Sequence, residues 1–239
     1  MLQENFILIY AIIDYLLKVS GHKFDKRPKM SDSELLFIAV SSALYFYGNW
    51  KRTLEFLYSF HIISCTIDKS RICRRLQQLS GVADDLIDFF SHYLTSVKAE
   101  KEFILDSAPI AVCDNIRIQR CRILSGEDFR GYTASFRRYF YGVKVQLITT
   151  KEGIPINYII TEGSAADAAM LEEIPFEMTP ESKVYADAGY TDYSFETKLK
   201  RKKGISLLAQ RKSNSRRKRS KKWKEQSRNT ARELKQFSP

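Results

Sequence analysis

The apolar residues of this chain change their spacing once, near Lys101, and that change divides what the chain can fold into. Before it they recur at helical intervals. Phe6, Ile9, Tyr10, Ile13, Leu16 and Leu17 mark a first helix. Pro28 interrupts, and Ser31-Asp32-Ser33-Glu34 reads as a capping box opening a second helix over 35–47. Gly48 and Asn49 end it. A third helix is expected over about 51–60, and a fourth over about 67–79 capped by Ser64 or Thr66. Gly81 separates a fifth, over about 83–97, with Leu86, Phe89, Phe90 and Tyr93 turned inward.

After Lys101 the apolar runs are short and extended. Residues 102–113 form one such run, and 114–135 are polar and read as a surface insertion. Residues 139–150 alternate, with Tyr141, Val143, Val145 and Leu147 on one face and Lys144 and Gln146 on the other. That is a half-buried strand. Lys151-Glu152-Gly153 turns it into a return strand over 154–161. A short helix over 165–173 behind Ser164, a strand over 183–187, a helix over 193–202 behind Thr191 or Asp192, and a strand over 205–209 complete the pattern. The order predicts an all-α region over 1–98 and an α/β domain over 99–239, a mixed sheet with flanking helices.

Two of the expected strands end on aspartate: Phe103-Ile104-Leu105-Asp106 and Lys183-Val184-Tyr185-Ala186-Asp187. In open α/β sheets ligands gather at the carboxyl ends of the strands. Carboxylates delivered there suit Mg²⁺, a hard ion bound by one or two acids plus substrate phosphate and water. Either aspartate alone could simply cap the turn that follows it. The pair, in a basic chain, points to metal-assisted phosphodiester chemistry.

The basic charge is localised. The net charge is +11, and from Arg211 onward 12 Lys or Arg stand against 2 Glu. Arg216, Arg217, Lys218 and Arg219 are its densest part. Such a block displaces counterions from a polyanion; the other reading is a solvated tail. Arg71, Arg74 and Arg75 line the polar side of the fourth helix, whose apolar side is Ile67, Ile72, Leu76 and Leu79. With the helix before it and a short connector, it could enter a major groove as a helix-turn-helix, or form the solvent side of an ordinary bundle. Arg130, Arg137, Arg138 and Lys144 interleave with Tyr132, Tyr139 and Tyr141. There cations can hold phosphates while rings stack on bases, or the stretch is a strand with a basic edge.

Other chemistries find little support. His22, His61 and His92 are the only histidines and all fall in the helical region, away from any nucleophile pattern. No phosphate-cradling glycine loop is present, which argues against ATP use. Cys65, Cys73, Cys113 and Cys121 lack zinc-knuckle spacing and read as reduced thiols. The apolar stretch 6–17 has no basic leader and the run 35–47 is too short to span a bilayer, so a soluble cytoplasmic protein is expected.

Leu105-Asp106-Ser107-Ala108-Pro109, then Gly131-Tyr132, then Tyr139-Phe140-Tyr141-Gly142-Val143-Lys144, then Val184-Tyr185-Ala186-Asp187-Ala188-Gly189-Tyr190 resemble, in order, the DDE-type transposases of bacterial insertion sequences. The resemblance spans about residues 100–215 and implies a ribonuclease-H-like fold with metal-dependent transesterase activity. It makes Asp106 the first acid and Asp187 the second. Water or a DNA 3′-hydroxyl would attack a phosphodiester in line, with two Mg²⁺ (or Mn²⁺) ions present. The implied partner is double-stranded DNA, as transposon ends and target, on which a homo-oligomer of the chain could assemble. Lys144 matches a family lysine, and Gln146 stands where histidine is frequent. The family's third acid is a glutamate on a helix after the last strand, before a Phe-Ser pair. Counting back from Phe237-Ser238 puts that slot at Leu234 or Lys235, and Glu233 is the nearest acid. Three readings follow: an active transposase using Glu233, a truncated remnant that binds DNA without cutting it, and a nuclease of the same fold.

Overall fold

The computed structural model describes residues 2–24, 29–98, 100–114, 122–124, 126–133, 137–211 and 215. The chain divides into two compact units, Met1–Phe89 and Phe90–Pro239.

The first unit holds α1 (Leu2–Val19), α2 (Asp32–Phe46), α3 (Trp50–Ser59), α4 (Lys69–Gln78) and the start of α5 (Ser80–Lys98). Leu35, Leu36, Phe37, Ile38, Ser41 and Ser42 are all buried, while Val40 and Leu44 on the same helix are exposed. Its capping box forms: the Glu34 amide donates to Ser31 Oγ at 3.1 Å and the Ser31 amide to Glu34 Oε2 at 2.7 Å. Phe6 of α1 meets Tyr45 and Phe37 edge-on, at 5.0 and 6.0 Å between centroids. The cap of α4 is Asp68, which accepts from the Ser70 amide at 2.8 Å, rather than Ser64 or Thr66. The connector between α3 and α4 is residues 60–68, longer than the roughly 3–4-residue turn of a compact helix-turn-helix. Gly81 lies in the first turn of α5 instead of separating two helices.

The second unit is built on a six-stranded sheet. Its elements are β1 (Glu102–Asp114), β2 (Arg130–Thr133), β3 (Arg138–Thr150), β4 (Pro155–Glu162), β5 (Lys183–Ala186), α6 (Tyr193–Lys203) and β6 (Ser206–Ala209). The strand order is β2-β3-β1-β5-β6, with β4 also paired to β3. β3 runs antiparallel to β1, β2 and β4, while β5 runs parallel to β1 and β6. This mixed sheet with its flanking helix is ribonuclease-H-like. One face is closed by a core of Phe103, Leu105, Ile148, Val184, Leu207 and, from α6, Phe195 and Leu199.

Several elements differ from the sequence pattern. β2 arises inside the polar stretch 114–135, where its four residues acquire strand form by pairing with β3. Close backbone approach there requires glycine: a Cβ on Gly131 would stand 2.4 Å from the Gly163 carbonyl oxygen, and one on Gly142 2.0 Å from that of Ile110. The helix expected over 165–173 is a single 3-10 turn, Ala169–Glu172, with no side-chain cap.

At the amino end of β1, Glu102 gathers three strands. Its carboxylate pairs with Lys151 of the β3–β4 turn and with Lys183 of β5 at 3.4 Å, and accepts from the Tyr185 hydroxyl at 3.3 Å. The Lys151 ammonium is the chief cause holding this carboxyl below its ordinary value. Among the described residues, no helix is long and apolar enough to cross a membrane.

Candidate active site

Phe103, Ile104 and Leu105 are buried on both faces of the sheet, which fixes β1 as a rigid support. The next residue, Asp106, is exposed, and its Oδ1 accepts from the Ser107 amide at 2.8 Å. The last rung shared by β1 and β5 pairs Leu105 with Ala186. Asp106 and Asp187 therefore each follow that rung by one residue, on neighbouring strands about 4.8 Å apart. Leu105 enters the core, so strand alternation sends Asp106 to the opposite face.

Asp187 begins the 3-10 turn Ala188–Tyr190, and its Oδ1 accepts from the Gly189 amide at 2.7 Å. Tyr190 closes that turn and is fully buried. Its hydroxyl donates to Oε1 of Gln146. Burial raises the Tyr190 hydroxyl well above its ordinary value; the carboxylates of Asp167, Asp106 and Asp187 push the same way.

Gln146 and Lys144 occupy the inward face of β3. Gln146 is 1% exposed. Its Nε2 donates to Asp167 Oδ1 at 3.2 Å. Lys144 Nζ donates to the Ala165 carbonyl at 2.7 Å and lies 3.5 Å from the same Asp167 oxygen. Asp167 is the residue that sequence reasoning missed. A cation and an amide spaced two apart on a strand, if buried, demand a facing acid; that was the available signal.

β1 does not end on Asp106, as the sequence pattern suggests, but continues to Asp114 because its pairing with β3 carries it on, so Asp106 is an exposed donor within a strand and Asp187 one just past a strand end. Together they offer hard oxygen donors that fit Mg²⁺ or Mn²⁺ completed by phosphate and water. Among the described residues, no group of three His, Cys, Asp or Glu is placed to hold a metal ion. Glu233 lies outside the described residues, as do Arg216, Arg217, Lys218 and Arg219.

The remaining basic candidates separate into two kinds. Arg71 and Arg74 are exposed on α4. Arg75 turns inward: it donates to the Met30 carbonyl and to Asp32 Oδ1, each at 2.5 Å. Arg137 and Arg138 are exposed beside β2. Arg130 lies 4.9 Å from the centre of the Tyr139 ring, which packs on Tyr132 at 4.9 Å. Arg211, first of the basic run, pairs with Glu196 at 2.5 Å and covers the Tyr193 ring.

No curated protein and no solved structure matches the chain. A family model described as a transposase DDE domain matches residues 97–232. That match takes in the whole sheet, α6, Asp106, Asp187 and Asp167, and it spans more than half of the sequence. The chain therefore belongs to the DDE transposase domain family.

Proposed function

We propose that this protein is the transposase of an insertion sequence, cutting DNA at element ends and joining the freed 3′-hydroxyl to a target phosphodiester. Membership of the family implies a role in transposition and contact with DNA, and DDE transposases generally use divalent metals. The observation that carries the finer reading is the register of β1 and β5, in which Asp106 and Asp187 each stand one residue past the last shared rung, Leu105 with Ala186.

In this reading Asp106 and Asp187 hold the scissile phosphate's surroundings rigidly, because each follows a buried run, Phe103–Leu105 and Val184–Ala186. Bound divalent ions activate the attacking oxygen and stabilise the leaving one. Neither aspartate is enclosed, so a long duplex can approach from the open face. Arg71, Arg74, Arg137 and Arg138, with the basic residues 216–219, hold backbone phosphates and add a salt-sensitive, sequence-independent share of affinity. Glu233 is the proposed third acid, and two copies assembled on DNA would present paired ends.

The test incubates the purified full chain with duplexes carrying the element's ends, in Mg²⁺ or Mn²⁺. Cleavage and strand joining are expected, each reduced at least about 100-fold by Asp106→Asn or Asp187→Asn. Cleavage without joining would assign a nuclease instead. Binding without cleavage, relieved by Lys235→Glu, would assign a remnant that recognises DNA only.

A further inference from the structure

We propose that Asp167 is a positioning residue for Asp187, acting through Gln146 and Tyr190. This deepens the reading above, since it presumes that Asp187 works on a phosphodiester.

The chain of contacts is continuous. Asp167 Oδ1 accepts from Gln146 Nε2 at 3.2 Å, and Gln146 Oε1 accepts from the Tyr190 hydroxyl. A carboxylate only accepts, so it selects which end of the Gln146 amide faces it. The oxygen end is then presented to Tyr190, whose hydroxyl has a hydrogen to donate. Tyr190 closes the 3-10 turn that Asp187 opens. Its ring is fully buried, so fixing the hydroxyl fixes the turn. A second contact acts in the same place. A Cβ on Gly189 would meet Asp187 Oδ1 at 2.9 Å and Asp167 Oδ2 at 3.0 Å. The turn's glycine is thus lodged between the two carboxylates.

The charge on Asp167 is answered from inside the protein. Lys144 lies 3.5 Å away and also ties down the Ala165 carbonyl, which anchors the segment bearing Asp167 to β3. The register places Gln146 opposite Ser107, on the sheet face shared by Leu105 and Ile148. Asp106 leaves from the other face. Asp167 therefore reaches the turn from its inner side, as a brace beneath Asp187.

Hydrogen–deuterium exchange of residues 186–191 in the full chain tests this without requiring catalysis. Asp167→Ala and Gln146→Leu are each expected to speed exchange there about tenfold, the effect of one lost hydrogen bond. Asp167→Asn keeps an acceptor for Gln146 and is expected to stay near the parent rate. Combining Asp167→Ala with Gln146→Leu should add little to either alone, because both break one chain of contacts. Tyr190→Phe, which removes a single hydroxyl, gives the same readout if the larger changes do not fold. Cleavage in Mn²⁺ should follow the same order. Unchanged exchange in Asp167→Ala or Tyr190→Phe overturns the proposal. So does Asp167→Asn that abolishes cleavage while exchange stays slow, which would make Asp167 a direct ligand. A parent chain that cuts nothing refutes the transposase activity, yet the exchange rates still decide the brace.

Discussion

The Tyr190 hydroxyl donates to Oε1 of Gln146, so the turn that carries Asp187 after β5 is tied across β1 to β3 by a bond wholly inside the protein. An exposed carboxylate thereby gains a fixed position from a buried partner. The consequences can be measured separately for site geometry, sheet stability and DNA contact.

Gly189→Ala is expected to impair cleavage about 10- to 100-fold while leaving stability within about 1 kcal/mol of the parent. The new methyl group meets carboxylate oxygens of Asp187 and Asp167, so the proposed metal-holding carboxylate moves while the core beneath is untouched. Single-turnover cleavage and urea denaturation on the same preparation check both halves. A variant that loses stability in proportion to activity would contradict it.

Glu102→Gln should change how stability responds to acid. The Glu102 carboxyl is held below its ordinary value of 4.5 in the folded chain, chiefly by Lys151. Its contribution is present above pH 4.5 and lost as pH falls through the lowered value. The variant is expected to be less stable at pH 7 by about 1 kcal/mol and to lack that part of the acid-induced loss. Denaturation midpoints between pH 7 and pH 3 decide it: parallel curves for variant and parent would refute the assignment.

Much of this architecture is legible in the residues, and the failures share a cause. β1 and β5 can be read because Phe103 to Leu105 and Val184 to Ala186 are uninterrupted apolar runs. β2 cannot, since Arg130 to Thr133 has no pattern of its own and becomes a strand through β3. Asp167 escaped notice for a related reason. It lies in a loop, and its meaning comes from Lys144 and Gln146, whose inward orientation is decided by the fold. Arg75 shows the reverse error: it shares a helix with Arg71 and Arg74 but faces Asp32. Local spacing identifies which residues lie on a surface stripe, not which of them a neighbouring element claims.

Arg75→Ala and Arg71→Ala should accordingly separate. Removing Arg75 leaves Asp32, a buried carboxylate, short of its cation and is expected to cost about 3 kcal/mol in the stability of the helical unit. Arg71→Ala or Arg74→Ala should leave stability within about 0.5 kcal/mol and lower the salt dependence of DNA binding by about one unit of slope each. Thermal melts and binding titrations at several salt concentrations test the pair. An Arg71→Ala chain whose salt slope is unaltered removes α4 from the DNA interface.

Gly142→Ala is expected to destabilise the second unit by about 3 kcal/mol or more. The added carbon would stand 2.0 Å from the Ile110 carbonyl oxygen, and only separation of β1 from β3 can relieve that. Equilibrium unfolding measures it; a loss under 1 kcal/mol would show that the strands part easily.

The rung that pairs Leu105 with Ala186 also acts as a checkpoint on assembly. If β5 slid by one residue along β1, Asp187 would no longer lie beside Asp106. The same slide would mismatch the side chains that close the core. A misaligned sheet is thus penalised as a fold, through its core, whatever its acids do. Chains that pass that test already hold Asp106 and Asp187 abreast, so their alignment requires no separate step of maturation.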